Sequence, residues 1–117
     1  MTETKDMSHG PLYGLTVVDF SRVLAGPYAT VLLADLGARV IKVEPTSGDD
    51  YRHVGPSIDK ESALTGFANR GKESIVLDLK KVDDLSLALQ LADNADIVVE
   101  NFRPGVAAKL GIGADVL

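Results

Sequence analysis

The sequence contains no cysteine. Disulfides, thiolate metal sites and cysteine nucleophiles are therefore excluded, and the absence is compatible with a cytoplasmic protein. No apolar run approaches the about 20 residues needed to cross a bilayer, so no membrane partner is expected. The opening MTETKDMSHG is polar and mixed in charge. It lacks the basic-then-apolar order of a secretion signal, and residues 1–10 read as a disordered tail. Positive charge is also scarce: 12 Lys and Arg stand against 17 Asp and Glu, a formal net charge of −5. No general electrostatic hold on nucleic acid is expected of such a chain, and an anionic ligand must meet cations gathered locally.

Several chemical signatures are missing too. The turn DFSRVLAGPYA has only Gly26 where a dinucleotide fingerprint needs three glycines. Glu44 alone is weak evidence for a ribose-binding acid. No Gly-x-Ser-x-Gly elbow occurs. His9 and His53 stand apart from any acid spacing that suggests a metal site, and no metal is expected. Asp49 and Asp50 form the nearest acidic cluster, in a segment that reads as a solvated loop.

What is present is 117 residues of ordinary globular composition, 45 % hydrophobic and 25 % charged. That suffices for one domain with a small core. LTVVDF (15–20) is apolar and β-branched and reads as a buried strand. SRVLAG is a loop, and Pro27 suits the first position of a helix. Tyr28, Val31, Leu32 and Leu36 then recur at helical spacing, and Gly37 marks the stop. ARVIKVE (38–44) is a second strand. Residues 45–71 are rich in Gly, Pro, Ser and Asp and read as a long loop with a short helix near 60–68. SIVLDL (74–79) is a third strand and VDDLSLALQLADNA (82–95) a helix with Asp83 and Asp84 in its first turn. DIVVENF (96–102) is a fourth strand, and PGVAAKLG (104–111) repeats the Pro-in, Gly-out pattern of a short helix. GADVL begins a further helix that the chain does not complete, and the segment reads as a truncated piece of a longer protein.

The order β-α-β-loop-β-α-β-α, with nearly continuous apolar strands, predicts an α/β fold. It is a Rossmann-like parallel sheet with helices on both faces. Ligands in such sheets lie beyond the carboxyl ends of the strands. Those ends are Phe20 to Ala25, Glu44 to Ser47, Leu79 to Lys81 and Glu100 to Pro104. The cations expected on the ligand side are Arg22, Arg70, Lys72, Lys80, Lys81, Arg103 and Lys109, which suit phosphates as a set and solvated surface one by one. Gly71 permits a tight turn before the third strand. Asn101 suits an amide or adenine edge or a turn cap, and Phe102 suits stacking on a flat ring or core packing.

PLYGLTVVDFSRVLAGPYATVLLADLGARVIKVEPTSGDD, NRGKESIVLDLK and ADIVVENFRPGVAAKLGIG, in that order, resemble the N-terminal part of the family III CoA-transferases, the CaiB/BaiF family. Formyl-CoA transferase, the carnitine CoA-transferases and α-methylacyl-CoA racemase belong to it. The resemblance covers residues 11–117. It implies that the first turn holds coenzyme A in place of a dinucleotide, as a substrate and not a tightly bound cofactor. By motif, Val23, Leu24 and Ala25 line the CoA. Leu77 and Lys80 contact its nucleotide end, Asn101 and Phe102 flank the thioester arm, and Lys109 meets a phosphate. Several relatives carry Arg where this chain has Pro45, and Arg70 or Lys72 is the expected replacement.

The resemblance further implies an acyl-CoA donor, a carboxylic acid acceptor and an interlocked homodimer. An Asp nucleophile forms acyl-anhydride and thioester intermediates. That Asp falls past Leu117, so no catalytic residue is expected in this chain, and by itself it is expected to be inactive. Asp35 and Asp78 are expected to serve structure. A racemase-type isomerase is the alternative within the family, which the long 45–71 loop disfavours. A non-catalytic binding domain of the same fold is the alternative outside it.

Overall fold

A computed structural model describes residues 9–22, 25–47, 57–58, 61–62 and 69–117. Strand β1 (Thr16–Asp19) leads into helix α1 (Ala25–Asp35) and strand β2 (Arg39–Glu44). Two short antiparallel strands follow, β3 (Ser57–Ile58) and β4 (Glu61–Ser62). Strand β5 (Lys72–Val76), helix α2 (Val82–Asp93), strand β6 (Ile97–Val99) and helix α3 (Val106–Lys109) complete the order. The main sheet has four strands in the order β5-β2-β1-β6, all parallel.

Alternation along β1 divides the core in two, because successive side chains leave a strand on opposite faces. Val17 packs with Ala38 and Val40 and with Leu33 and Ala34 of α1. Val18 packs with Phe20, Val43, Leu77, Ala88 and Ile112, together with Leu85 and Leu89 of α2 and Ala107 and Leu110 around α3. Helices therefore cover both faces, as the pattern predicts.

Both predicted glycine stops work through the same geometry. At the end of α1, the Ala38 N–H donates to Leu33 O at 3.1 Å and the Gly37 N–H to Ala34 O at 3.0 Å. After α3, the Ile112 and Gly111 N–H groups donate to Ala107 O and Ala108 O at 3.0 and 3.1 Å. Gly37 and Gly111 sit at φ 104° and 85°, the left-handed region this helix ending requires.

The elements differ from the sequence reading in five places. Helix α1 begins at Ala25, so Pro27 sits third, still within the first turn where an N–H has no helical partner. Its buried face is Gly26, Pro27, Thr30 and Val31, whereas Tyr28, Leu32 and Leu36 are more than 40 % exposed. Strand β5 starts at Lys72 and ends before Asp78, because the Asp78 N–H donates to the Asp84 carboxylate at 2.8 Å and the chain turns. Strand β6 closes at Val99, and residues 114–116 form a turn in place of a further helix. In the 45–71 segment Glu61–Ser62 is a strand, and residues 60 and 63–68 of the expected helix lie outside the described residues. Of the expected tail, residues 1–8 also lie outside them. The His9 ring stacks on Tyr13 with centroids 4.3 Å apart.

Candidate functional site

The four parallel strands deliver four chain ends to one edge of the sheet, and a cleft of about 320 Å³ opens there. Its apolar lining is Phe20, Val43, Pro45, Leu77, Leu79, Phe102 and Leu110. Its polar lining is Arg22, Glu44, Thr46, Ser47, Asp78 and Lys80. Each of the four strand-end segments picked out from sequence contributes, as expected for a ligand site in a parallel sheet.

The cations of the cleft are Arg22 and Lys80. The Arg22 guanidinium lies over the Phe102 ring, 5.4 Å from its centroid, a favourable cation–π distance. The main chain of Arg22 is held by Asn101: its N–H donates to Asn101 Oδ1 at 2.9 Å, and Asn101 Nδ2 donates to its carbonyl at 2.8 Å. Lys80 follows a tight turn in which its N–H donates to Asp78 Oδ1 at 3.0 Å, the local bonding that makes Asp a turn former. The Glu44 carboxylate accepts a hydrogen bond from Ser74 Oγ at 2.5 Å.

Beneath the first turn lies a buried polar cluster. Asp19 is fully buried, and Ser21, Thr30, Lys42 and Glu44 are at most 2 % exposed. The Asp19 carboxylate accepts the Ser21 N–H at 2.8 Å, the Ser21 hydroxyl, the Thr30 hydroxyl at 2.6 Å and the Lys72 ammonium at 3.1 Å. Burial pushes the Asp19 carboxyl up, but hydrogen bonds from Ser21 and Thr30 and the charges of Lys72 and Lys42 outweigh it. The group lies below its ordinary 3.8. Lys72 also donates to Pro27 O at 3.0 Å and Lys42 to Ser21 O at 3.4 Å.

The residues singled out from sequence separate into three groups. Leu77, Lys80 and Phe102 line the cleft, and Asn101 holds the turn beside it. Arg70 and Lys72 do not line it. Arg70 precedes β5 and Lys72 opens it, so both lie at the amino end of that strand. Arg70 is paired with Asp35 at 2.6 Å on the surface, and Lys72 is spent on buried Asp19. Ala25, the exposed first residue of α1, and Lys109, exposed on α3, are not among the lining residues. Val23 and Leu24 lie outside the described residues. The sequence reading covers Thr46 and Ser47 within the Glu44 to Ser47 strand end without singling them out, and it misses the buried cluster. Its signal was present as charges inside apolar strands, Asp19 in TVVD and Lys42 in RVIKVE.

A family model described as CoA-transferase family III matches residues 12–117. An acetyl-CoA:oxalate CoA-transferase of Acetobacter aceti is 49 % identical over 119 residues, covering 100 % of this chain and 31 % of that protein. A human succinyl-CoA:glutarate CoA-transferase is 45 % identical over 105 residues, covering 88 % of this chain and 24 % of that protein. The crystal structure of a CaiB/BaiF family protein from Brucella suis superposes with a TM-score of 0.87 at 41 % identity, covering 92 % of this chain and 30 % of that one. The chain thus spans about a third or less of the length of these relatives.

Proposed function

The chain belongs to CoA-transferase family III, and from that premise we propose that it is the part of an acyl-CoA:carboxylate CoA-transferase that grips coenzyme A. The observation that carries this reading is the cleft at the four strand ends. It sets Arg22 and Lys80 beside the apolar Leu77 and the Phe102 ring. Two cations suit the phosphates of a nucleotide. A ring and an aliphatic wall suit its flat base and the thin pantetheine arm. Arg22, with its guanidinium over Phe102, fills the role expected of Arg70 or Lys72.

A second consideration supports the same division of labour. The two relatives named above act on different carboxylates, oxalate and glutarate, yet each matches this chain at 45 % identity or more. A shared segment suits the shared ligand, CoA, and leaves the choice of acid to other parts of the enzyme. The whole transferase acts as a homodimer. In it a carboxylate oxygen of an Asp outside these 117 residues attacks the thioester carbonyl. The CoA thiolate leaves, and the anhydride formed carries the acyl group onward. Among the described residues, Asp35 is bound to Arg70, Asp78 to the turn at Lys80, and Asp19 to its buried partners, so none of these three is assigned the nucleophile's role.

Calorimetric titration of the 117-residue chain with CoA tests the reading. Saturable binding that Lys80→Ala weakens supports it, with no CoA transfer detected from an acyl-CoA to any acid. A folded chain that does not bind CoA overturns it.

A further inference from the structure

The first turn is anchored at both of its stems by buried charge. At the entry stem, Asp19 accepts the Ser21 N–H and hydroxyl while Lys42 donates to Ser21 O at 3.4 Å. At the exit stem, Lys72 donates to Pro27 O at 3.0 Å and Thr30 donates to Asp19 at 2.6 Å. One ion pair, Lys72 to Asp19 at 3.1 Å with both side chains at most 1 % exposed, joins the two stems. A third constraint comes from packing. A Cβ on Gly26 would overlap the Ser21 side chain, so the two stems touch directly.

This arrangement is costly if stability is its only purpose. Buried ion pairs seldom outperform apolar side chains of similar volume. Their neighbours on the same face of β1 and β2 include the buried valines Val17 and Val40. What the charges supply and valines do not is direction. Each lysine binds one carbonyl of one stem, and the carboxylate binds both stems. Beside the entry stem lies Arg22, one of the two cations of the cleft, whose side chain follows wherever the turn is set.

We infer that Asp19, Lys42 and Lys72 are positioning residues that hold the two described stems of the first turn, Ser21 with Arg22 on one side and Gly26 with Pro27 on the other, in register with the ligand cleft. The inference rests on the CoA reading for its ligand, but its geometry stands independently of that reading.

The test separates position from stability. Asp19→Asn and Lys72→Met each remove one member of the Asp19–Lys72 pair and unbalance the buried charge, and their melting temperatures fall. The double variant Asp19→Asn/Lys72→Met removes both members of that pair and keeps Lys42, so its melting temperature recovers toward the parent. CoA affinity is expected to stay down about tenfold in the double variant, since small misplacements of a binding turn are costly. Leu33→Ala, which opens a cavity under α1 away from the cleft, is the control that melts early but binds CoA like the parent. Affinity that follows melting temperature across the set, recovering in the double variant, overturns the inference. If the parent does not bind CoA, the CoA reading fails by itself, and amide hydrogen exchange of residues 20–28 decides the anchor. Faster exchange confined to that stretch in the double variant supports it, and unchanged exchange overturns it.

Discussion

Asn101 holds Arg22 by its main chain from both sides, at 2.9 and 2.8 Å, across 79 residues of sequence. The bond pair ties the end of β6 to the first turn beside β1. It also uses the amide that sequence reasoning assigned to the ligand. Asn101 therefore serves the site through Arg22. Asn101→Ala is expected to weaken CoA binding about tenfold, the scale of one or two lost hydrogen bonds near 1 kcal/mol each. The double variant with Arg22→Gln should bind no worse than Arg22→Gln alone. Calorimetry on the four proteins checks this, and full additivity would show that Asn101 touches ligand directly.

Arg22 and Lys80 should act through charge. Arg22→Gln and Lys80→Gln are each expected to lower CoA affinity by about 2 kcal/mol, as for charge-assisted bonds to phosphate. The salt dependence of binding should flatten in both. Neutral pantetheine, lacking phosphates, should bind parent and variants alike.

Arg70→Ala should leave CoA affinity unchanged. Its guanidinium is engaged with Asp35 on the surface at the amino end of the sheet. The Arg39 and Glu73 pair, at 2.8 Å and likewise exposed, should be equally silent, since solvent screens such pairs. A loss of CoA binding in Arg70→Ala would overturn the assignment of the cleft to the strand ends.

Asp19 gives a pH prediction with a definite sign. Its carboxyl lies below the ordinary 3.8 in the folded chain. The folded state therefore holds its proton less tightly than the unfolded state does. The resulting stability is complete above the ordinary value and is lost as pH falls through the lower, folded value. Thermal melts of the parent should decline steeply below about pH 4. The Asp19→Asn/Lys72→Met variant should decline less steeply.

Gly26 and Gly37 should resist substitution for different reasons. Alanine at Gly26 collides with the Ser21 side chain and should cost about 1–3 kcal/mol by overpacking, with CoA binding lost alongside. Alanine at Gly37 meets both the φ of 104° and the His9 carbonyl and should cost at least about 1 kcal/mol. That change should leave the affinity of the folded fraction intact. Chemical denaturation and calorimetry distinguish the two.

The local structure of this chain is written in its sequence. Val17, Val18, Val40 and Val43 mark strands because β-branched apolar runs suit a pleated, buried surface. Gly37 and Gly111 stop helices because the left-handed ending favours glycine. The ligand edge follows from parallel topology alone, which is why Phe20, Glu44, Leu79 and Phe102 could be placed around one cleft before their contacts were known. The tertiary structure decided which charges turn inward. Helix periodicity assigns one face of α1 to Tyr28, Val31, Leu32 and Leu36; of these only Val31 is buried, and Gly26, Pro27 and Thr30 complete the inward face beside the polar cluster. Lys72 reads from sequence as a cation for the ligand because nothing near it in sequence reveals Asp19, its partner 53 positions away. Hydrophobic pattern reports how each residue meets its neighbours along the chain. A buried ion pair is a relation between strands, and only the register of β1, β2 and β5 brings its members together.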